Sequence, residues 1–186
     1  MFRIKLAEFD MDGTLFDTAT ANFMAYREAC AGYAELDEVF FRRECFSRNY
    51  HEFLPLLGIS DVCIMENIHR KKTAVYADYF DEIRVNLRLF DIAALLKQNG
   101  TALALVTTAS RENTDALLSH FGYEKFFDLL VTGETVSRLK PFPDAFIYAM
   151  NYFNADKDNT IIFEDSEVGL KAASQTGAAV YKIIDF

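Results

Sequence analysis

The short apolar stretch Ile4–Phe9 predicts a buried strand, and it delivers two carboxylates one residue apart, Asp10 and Asp12. Gly13 follows at once and lets the chain turn sharply at little steric cost. Far downstream, the apolar run Thr101–Val106 ends in Thr107, Lys140 precedes Pro141 in a loop, and Ile161–Phe163 runs into Glu164 and Asp165. Phosphoester hydrolysis through a carboxylate needs this inventory. One Asp attacks, a second acid protonates the leaving oxygen, a hydroxyl and a cation hold the phosphoryl oxygens, and acids hold a divalent cation. Each feature also has a plainer reading. Asp-x-Asp occurs in solvated turns, a Thr at a strand end is a common cap or turn residue, and most lysines are solvated. An acid pair suits a helix N-terminus. An oxygen-only set of carboxylates would suit magnesium.

Taken in order, the pieces resemble the four motifs of the haloacid dehalogenase-like superfamily of phosphohydrolases. Asp10-Met11-Asp12-Gly13-Thr14-Leu15 resembles the first motif, Thr107 falls on the hydroxyl position of the second, Lys140-Pro141 resembles the third, and Glu164-Asp165-Ser166 with Gly169 the fourth. The resemblance covers roughly Leu6–Leu15 and Leu87–Val180. It implies that Asp10 is the nucleophile and ligates the metal through its other oxygen. It implies that Asp12 offers its carbonyl to the metal and its side chain to acid–base work. Thr107 and Lys140 would bind the phosphoryl group, Asp165 would ligate magnesium, and Glu164 would ligate it or stand next to a ligand. Where relatives often carry Asn after the hydroxyl residue, this chain has Thr108. Ser110 reads first as the N-cap of the next helix.

These residues need a scaffold that brings strand ends together. From Leu87 onward helices and near-continuously apolar strands alternate. Helices are predicted at Leu89–Gln98, Asn113–Phe121, Asp144–Phe153 and Ser166–Gln175, and strands at Thr101–Val106, Phe127–Thr132, Ile161–Phe163 and Ala178–Ile183. Serial β–α units predict a parallel sheet covered by helices on both faces, joined by right-handed crossovers. From Ala19 to Arg84 no strand pattern occurs, and helices are predicted at Asn22–Ala31, Glu38–Phe46, His51–Leu57 and Asp61–Phe80. The expected fold is α/β, a Rossmann-like core of residues 1–16 and 84–186 with a small inserted all-helical cap of residues 17–83. In the family such a cap closes over the site. Val85-Asn86 stands where relatives often have Pro-Gly.

A net charge of −9 argues against a nucleic-acid or anionic-membrane surface. Three distant cysteines, Cys30, Cys45 and Cys63, fit reduced thiols rather than a disulfide framework or zinc site. With no signal-peptide pattern and no membrane-length apolar run, a cytoplasmic protein is expected. The expected partner is a small phosphorylated metabolite: a sugar phosphate, a nucleotide or phosphoglycolate. Nothing in the sequence sets the oligomeric state. The expected activity is a magnesium-dependent phosphatase working through an aspartyl-phosphate. The alternatives are a phosphosugar mutase of the same branch and a non-catalytic interaction protein with the same fold. Mutases of the branch often carry His where Asn22 stands, and a Lys/Arg-Gly element that has no counterpart around Phe46–Glu52. Arg42, Arg43 and Arg48 could bind a second anionic group of the substrate or pair with neighbours such as Glu44. His51, His69 and His120 show no metal-ligand spacing.

Overall fold

The structure is a computed structural model that describes residues 4–46 and 48–184. The chain divides into two compact units, one comprising the chain up to Asp17 and from Arg84 onward, the other Thr18–Ile83. In chain order, β1 (Leu6–Phe9) and β2 (Phe16–Asp17) open the first unit. The second unit holds α1 (Ala19–Cys30), α2 (Glu38–Phe40), α3 (Tyr50–Phe53) and α4 (Val62–Val75). The first unit resumes with β3 (Arg84–Val85), α5 (Leu87–Gln98), β4 (Ala102–Val106), α6 (Arg111–His120) and β5 (Leu129–Val131). It ends with α7 (Asp144–Tyr152), β6 (Thr160–Glu164), α8 (Glu167–Ser174) and β7 (Ala179–Lys182).

Five of these strands form one parallel sheet in the order β5-β4-β1-β6-β7. The first strand in sequence lies at the centre, and its Phe9 is level with Leu105 on β4 and Phe163 on β6. The residues that follow therefore emerge side by side at the carboxyl edge, where ligands bind in open α/β sheets. Both faces are covered. On one, Leu6, Ala104, Val106 and Ile162 pack with Ala145, Phe146 and Ala149 of α7 and Ala172 and Ala173 of α8. On the other, Phe9 stacks on Phe163 with centroids 4.7 Å apart, and Phe90 of α5 stacks on Tyr123 at 3.8 Å. Burying a ring of this size contributes about 1.5–3 kcal/mol. These faces fix the strand ends before any polar group is placed.

A second, two-stranded element was not visible in the sequence pattern. β2 and β3 pair antiparallel, Phe16 with Val85 and Asp17 with Arg84, whose guanidinium donates to the Asp17 carboxylate. Asp17 therefore lies with the α/β unit, one residue later than the expected boundary.

The helical unit contains no strand among its described residues. Phe23, Tyr26, Phe41, Phe53, Leu54 and Ile68 belong to its buried centre, with Tyr26 edge-on to Phe53 at 4.9 Å. The predicted helix from Glu38 is α2 continued by a π-helical segment, Phe41–Cys45. The long helix expected to reach Phe80 is α-helical only to Val75 and tightens into 3₁₀ turns over Tyr76–Glu82. Asp61 caps α4 by accepting from Ile64 N–H, whereas Thr18 stands at the N-cap of α1 without a side-chain cap bond. The three cysteines are free thiols, Cys30 and Cys45 buried and Cys63 exposed. Among the described residues no helix is long and apolar enough to cross a membrane.

Candidate active site

One ammonium group ties three strand ends together. Nζ of Lys140 donates to Asp10 Oδ1 (2.6 Å) after β1, to the Val106 carbonyl (3.0 Å) on β4, and to Glu164 Oε2 (2.8 Å) on β6. A lysine has three N–H donors, and all three are used. Asp10, Glu164 and Lys140 are almost wholly buried. Asp165 is half-buried, and Asp10, Glu164 and Asp165 each place an oxygen within 4.8 Å of the others. Three carboxylates thus gather at one place, two of them bonded to the same ammonium.

The neighbouring backbone is shaped around these acids. Glu164 Oε1 accepts from Ser166 Oγ (2.8 Å), Ser166 N–H (3.0 Å) and Asp165 N–H (3.2 Å). Ser166 Oγ in turn accepts from Gly169 N–H and caps α8. A Cβ on Gly169 would lie 2.0 Å from the Glu164 carboxyl carbon, so only glycine fits there. Across the site Thr14, fully buried, donates its hydroxyl to Asp165 Oδ1 at 2.9 Å. Gly13 has φ +88°, and a Cβ on it would come within 2.2 Å of Asp165 Oδ2. Gly13 is thus required by both its conformation and its contact.

Crowded, buried carboxylates resist ionisation. Burial raises the Asp10 carboxyl well above its ordinary range; Glu164 and Asp165 add to the rise and Lys140 opposes it. Burial, then the charge on Glu164, raises Asp165 to about 6, against the Thr14 hydrogen bond. Burial alone would lower the Lys140 ammonium, but Asp10 and Glu164 more than reverse this and hold it charged. With three carboxylates and one ammonium, the site is short of positive charge. Its all-oxygen donor set fits a hard divalent cation that would supply it.

The structure brings Asp10, Lys140, Glu164 and Asp165 together. The Asp12 carboxylate is not part of this acidic cluster; the residue is half-buried and its backbone bridges to Phe16. Thr107 is buried directly after β4, and its hydroxyl accepts from Ala109 N–H at 3.0 Å. Ser110 caps α6 as expected. Sequence reasoning passed over Thr14, over Ser166 as a brace for Glu164, and over Glu8. Glu8 is fully buried on β1, and neither of its carboxylate oxygens has a hydrogen-bond partner. In the helical unit the three arginines have local partners: Arg42 with Glu38 and Thr20, Arg43 and Arg48 with Glu44. Asn22 donates to the Thr18 carbonyl and the Tyr76 hydroxyl.

Comparison with known proteins agrees with this fold. The family described as haloacid dehalogenase-like hydrolase matches residues 8–183. A phosphorylated carbohydrates phosphatase of Thermotoga maritima is 29% identical over 175 residues, 91% of this chain and 80% of that protein. Protein CbbY of Cereibacter sphaeroides is 30% identical over 188 residues, 91% of this chain and 79% of that protein. Among solved structures, a CbbY mutant from Rhodobacter sphaeroides in complex with xylulose-1,5-bisphosphate superposes with a TM-score of 0.87 at 26% identity, covering 98% of this chain and 87% of that one.

Proposed function

The chain belongs to the haloacid dehalogenase-like hydrolase family, and from that premise we propose that it is a magnesium-dependent phosphatase acting on a small sugar phosphate through an aspartyl-phosphate on Asp10. The observation that carries the reading is the buried Lys140 bridge, which fixes Asp10 at the carboxyl edge of the sheet beside Glu164.

Lys140 orients the nucleophile. With one Asp10 oxygen held by the ammonium, the other faces the phosphorus, and the ammonium favours the ionised carboxylate against the burial and neighbouring acids that oppose it. Because all three N–H groups of Lys140 serve protein acceptors, it acts on the phosphoryl group as a nearby charge. Thr107 takes its incoming hydrogen bond from Ala109 and has its own proton to give to a phosphoryl oxygen. An Asp10 oxygen attacks phosphorus, the bond from phosphorus to the substrate oxygen breaks, and Asp12 gives its proton to that oxygen. Asp12 then takes a proton from water, whose oxygen attacks phosphorus and releases inorganic phosphate and free Asp10. Asp10, through the oxygen it shares with Lys140, and Asp165, through the oxygen not bonded to Thr14, would hold the cation together with the Asp12 carbonyl. Glu164, engaged through both oxygens, braces Lys140 and the start of α8. The bound cation would supply charge neutralisation for the transferring group.

A phosphorylated-carbohydrate phosphatase among the relatives and a bisphosphate-bound structural neighbour support the substrate class. Asn22 counts against a mutase, because its amide is used within the helical unit. The test is phosphate release from p-nitrophenyl phosphate and a panel of sugar phosphates, with magnesium or chelator. The reading expects magnesium-dependent turnover that Asp10→Asn abolishes. Turnover that persists in Asp10→Asn would end it.

A further inference from the structure

We propose that Asn86 is a positioning residue for the metal ligand Asp165, acting on it through Thr14. The proposal rests on the ligand role assigned to Asp165 above.

Asn86 directly follows β3 and is buried, 7% exposed. Its side chain works in two directions. Oδ1 accepts from Leu89 N–H (3.2 Å) and caps α5, while Nδ2 donates to the Thr14 carbonyl (3.1 Å). Its own backbone N–H donates to the Leu15 carbonyl at 2.9 Å. The turn after β1 is therefore anchored at two successive carbonyls by one residue 72 positions away. The other end of Thr14 is its hydroxyl, 2.9 Å from Asp165 Oδ1. The peptide before Thr14 lies so close to that carboxylate that Gly13 has no room for a Cβ. A shift of the Thr14 carbonyl would move the hydroxyl and the Gly13 backbone together, and Asp165 is in contact with both.

The amide is specific to this arrangement. Serine at position 86 would keep a good helix-cap acceptor but lose the donor that reaches Thr14. Aspartate would cap as well but turn an acceptor toward the Thr14 carbonyl. A bare capping role would need neither the donor nor the contact to the turn.

The experiment compares wild type, Asn86→Ser, Thr14→Val and the double variant. Magnesium affinity is measured by calorimetry on the folded protein, with Tm recorded in chelator and phosphate release recorded separately. Residues that orient metal ligands change affinity by about 10–100-fold when altered. Thr14→Val is expected to weaken magnesium about tenfold, and Asn86→Ser, one bond further out, about threefold. The double variant should bind no more weakly than Thr14→Val, because the two residues act through one path. Tm in chelator should fall little in Asn86→Ser, since the cap is kept. A lowered Tm with unchanged magnesium affinity, or additive losses in the double variant, would overturn the proposal. A wild type that binds no divalent cation would overturn both this inference and the metal reading. Variants that weaken magnesium as expected in a protein that releases no phosphate would uphold this inference and end the phosphatase reading.

Discussion

The two units of this chain bury polar groups in opposite ways. In the α/β unit Asp10, Glu164 and Lys140 are buried at one edge of the sheet and bonded to one another and to backbone. In the helical unit the charged groups stay mostly outside: Arg42 and Glu38 pair at 43% and 47% side-chain exposure. Its buried cation, Lys72, lies against aromatic faces, 3.8 Å from the Tyr76 ring centroid and 5.3 Å from that of Tyr26. One unit spends stability on holding charges in place, and the other is held by apolar and aromatic contact. The same substitution should therefore have very different consequences in the two.

The largest contrast is between Lys140→Ala and Arg42→Ala. Removing Lys140 leaves Asp10 and Glu164 buried without their cation, which costs about 3–5 kcal/mol, and phosphatase turnover should fall about a thousandfold. Removing Arg42 breaks an exposed pair worth less than about 1 kcal/mol. Urea unfolding and steady-state kinetics on both variants test this. Equal destabilisation would erase the distinction between the units.

That contrast was partly legible in the sequence. Acids at the ends of apolar runs announce strand-end chemistry, and these runs with the Lys-Pro loop mark Asp10, Lys140, Glu164 and Asp165, which lie together in the structure. The ribbon Phe16–Asp17 with Arg84–Val85 was not legible, because two-residue strands have no periodicity. Asn86 did leave a signal: an asparagine just before an apolar run is a helix-cap pattern, although α5 was placed two residues late. Its second bond, to Thr14, joins positions too far apart for any local pattern to show. Ser166 was legible as a cap but not as a partner of Glu164. The end of α4 at Val75 has no proline or glycine beside it, and no local rule marks it.

Glycine substitution sharpens the comparison at a smaller scale. Gly169 sits inside α8, where alanine would ordinarily favour the helix by about 1 kcal/mol. Here the new methyl would collide with the Glu164 carboxylate. Gly169→Ala should instead destabilise by about 3 kcal/mol and lower kcat as Glu164 releases Lys140. Gly58, in the helical unit, has φ +80° and open space around a new Cβ. Gly58→Ala should cost about 1–2 kcal/mol from backbone strain alone and leave kcat unchanged. Denaturation midpoints and kcat for the pair decide it. A Gly169→Ala protein as active as wild type would mean that Glu164 has room the geometry does not show.

The smallest effect concerns Glu8, neither of whose carboxylate oxygens has a hydrogen-bond partner. Glu8 shares a face of β1 with Leu6 and lies level with Ala104 and Ile162, which belong to the apolar layer under α7 and α8. Burial raises its carboxyl well above 4.5, with Lys140 pulling the other way. A group whose pKa is higher folded than unfolded favours the folded state below its unfolded pKa, and that contribution is lost as pH rises through the folded value. Above that value the native state must keep a proton against solution or bury a charge. Glu8→Leu removes both demands and should stabilise by about 1–3 kcal/mol at neutral pH. The gain over wild type should be larger at pH 8 than at pH 5, read from urea unfolding at each pH in chelator. A gain independent of pH would mean that Glu8 ionises as readily folded as unfolded. A loss would mean that its carboxylate supports Lys140 through charge alone, which would place it with Asp10 and Glu164 among the groups that hold the ammonium.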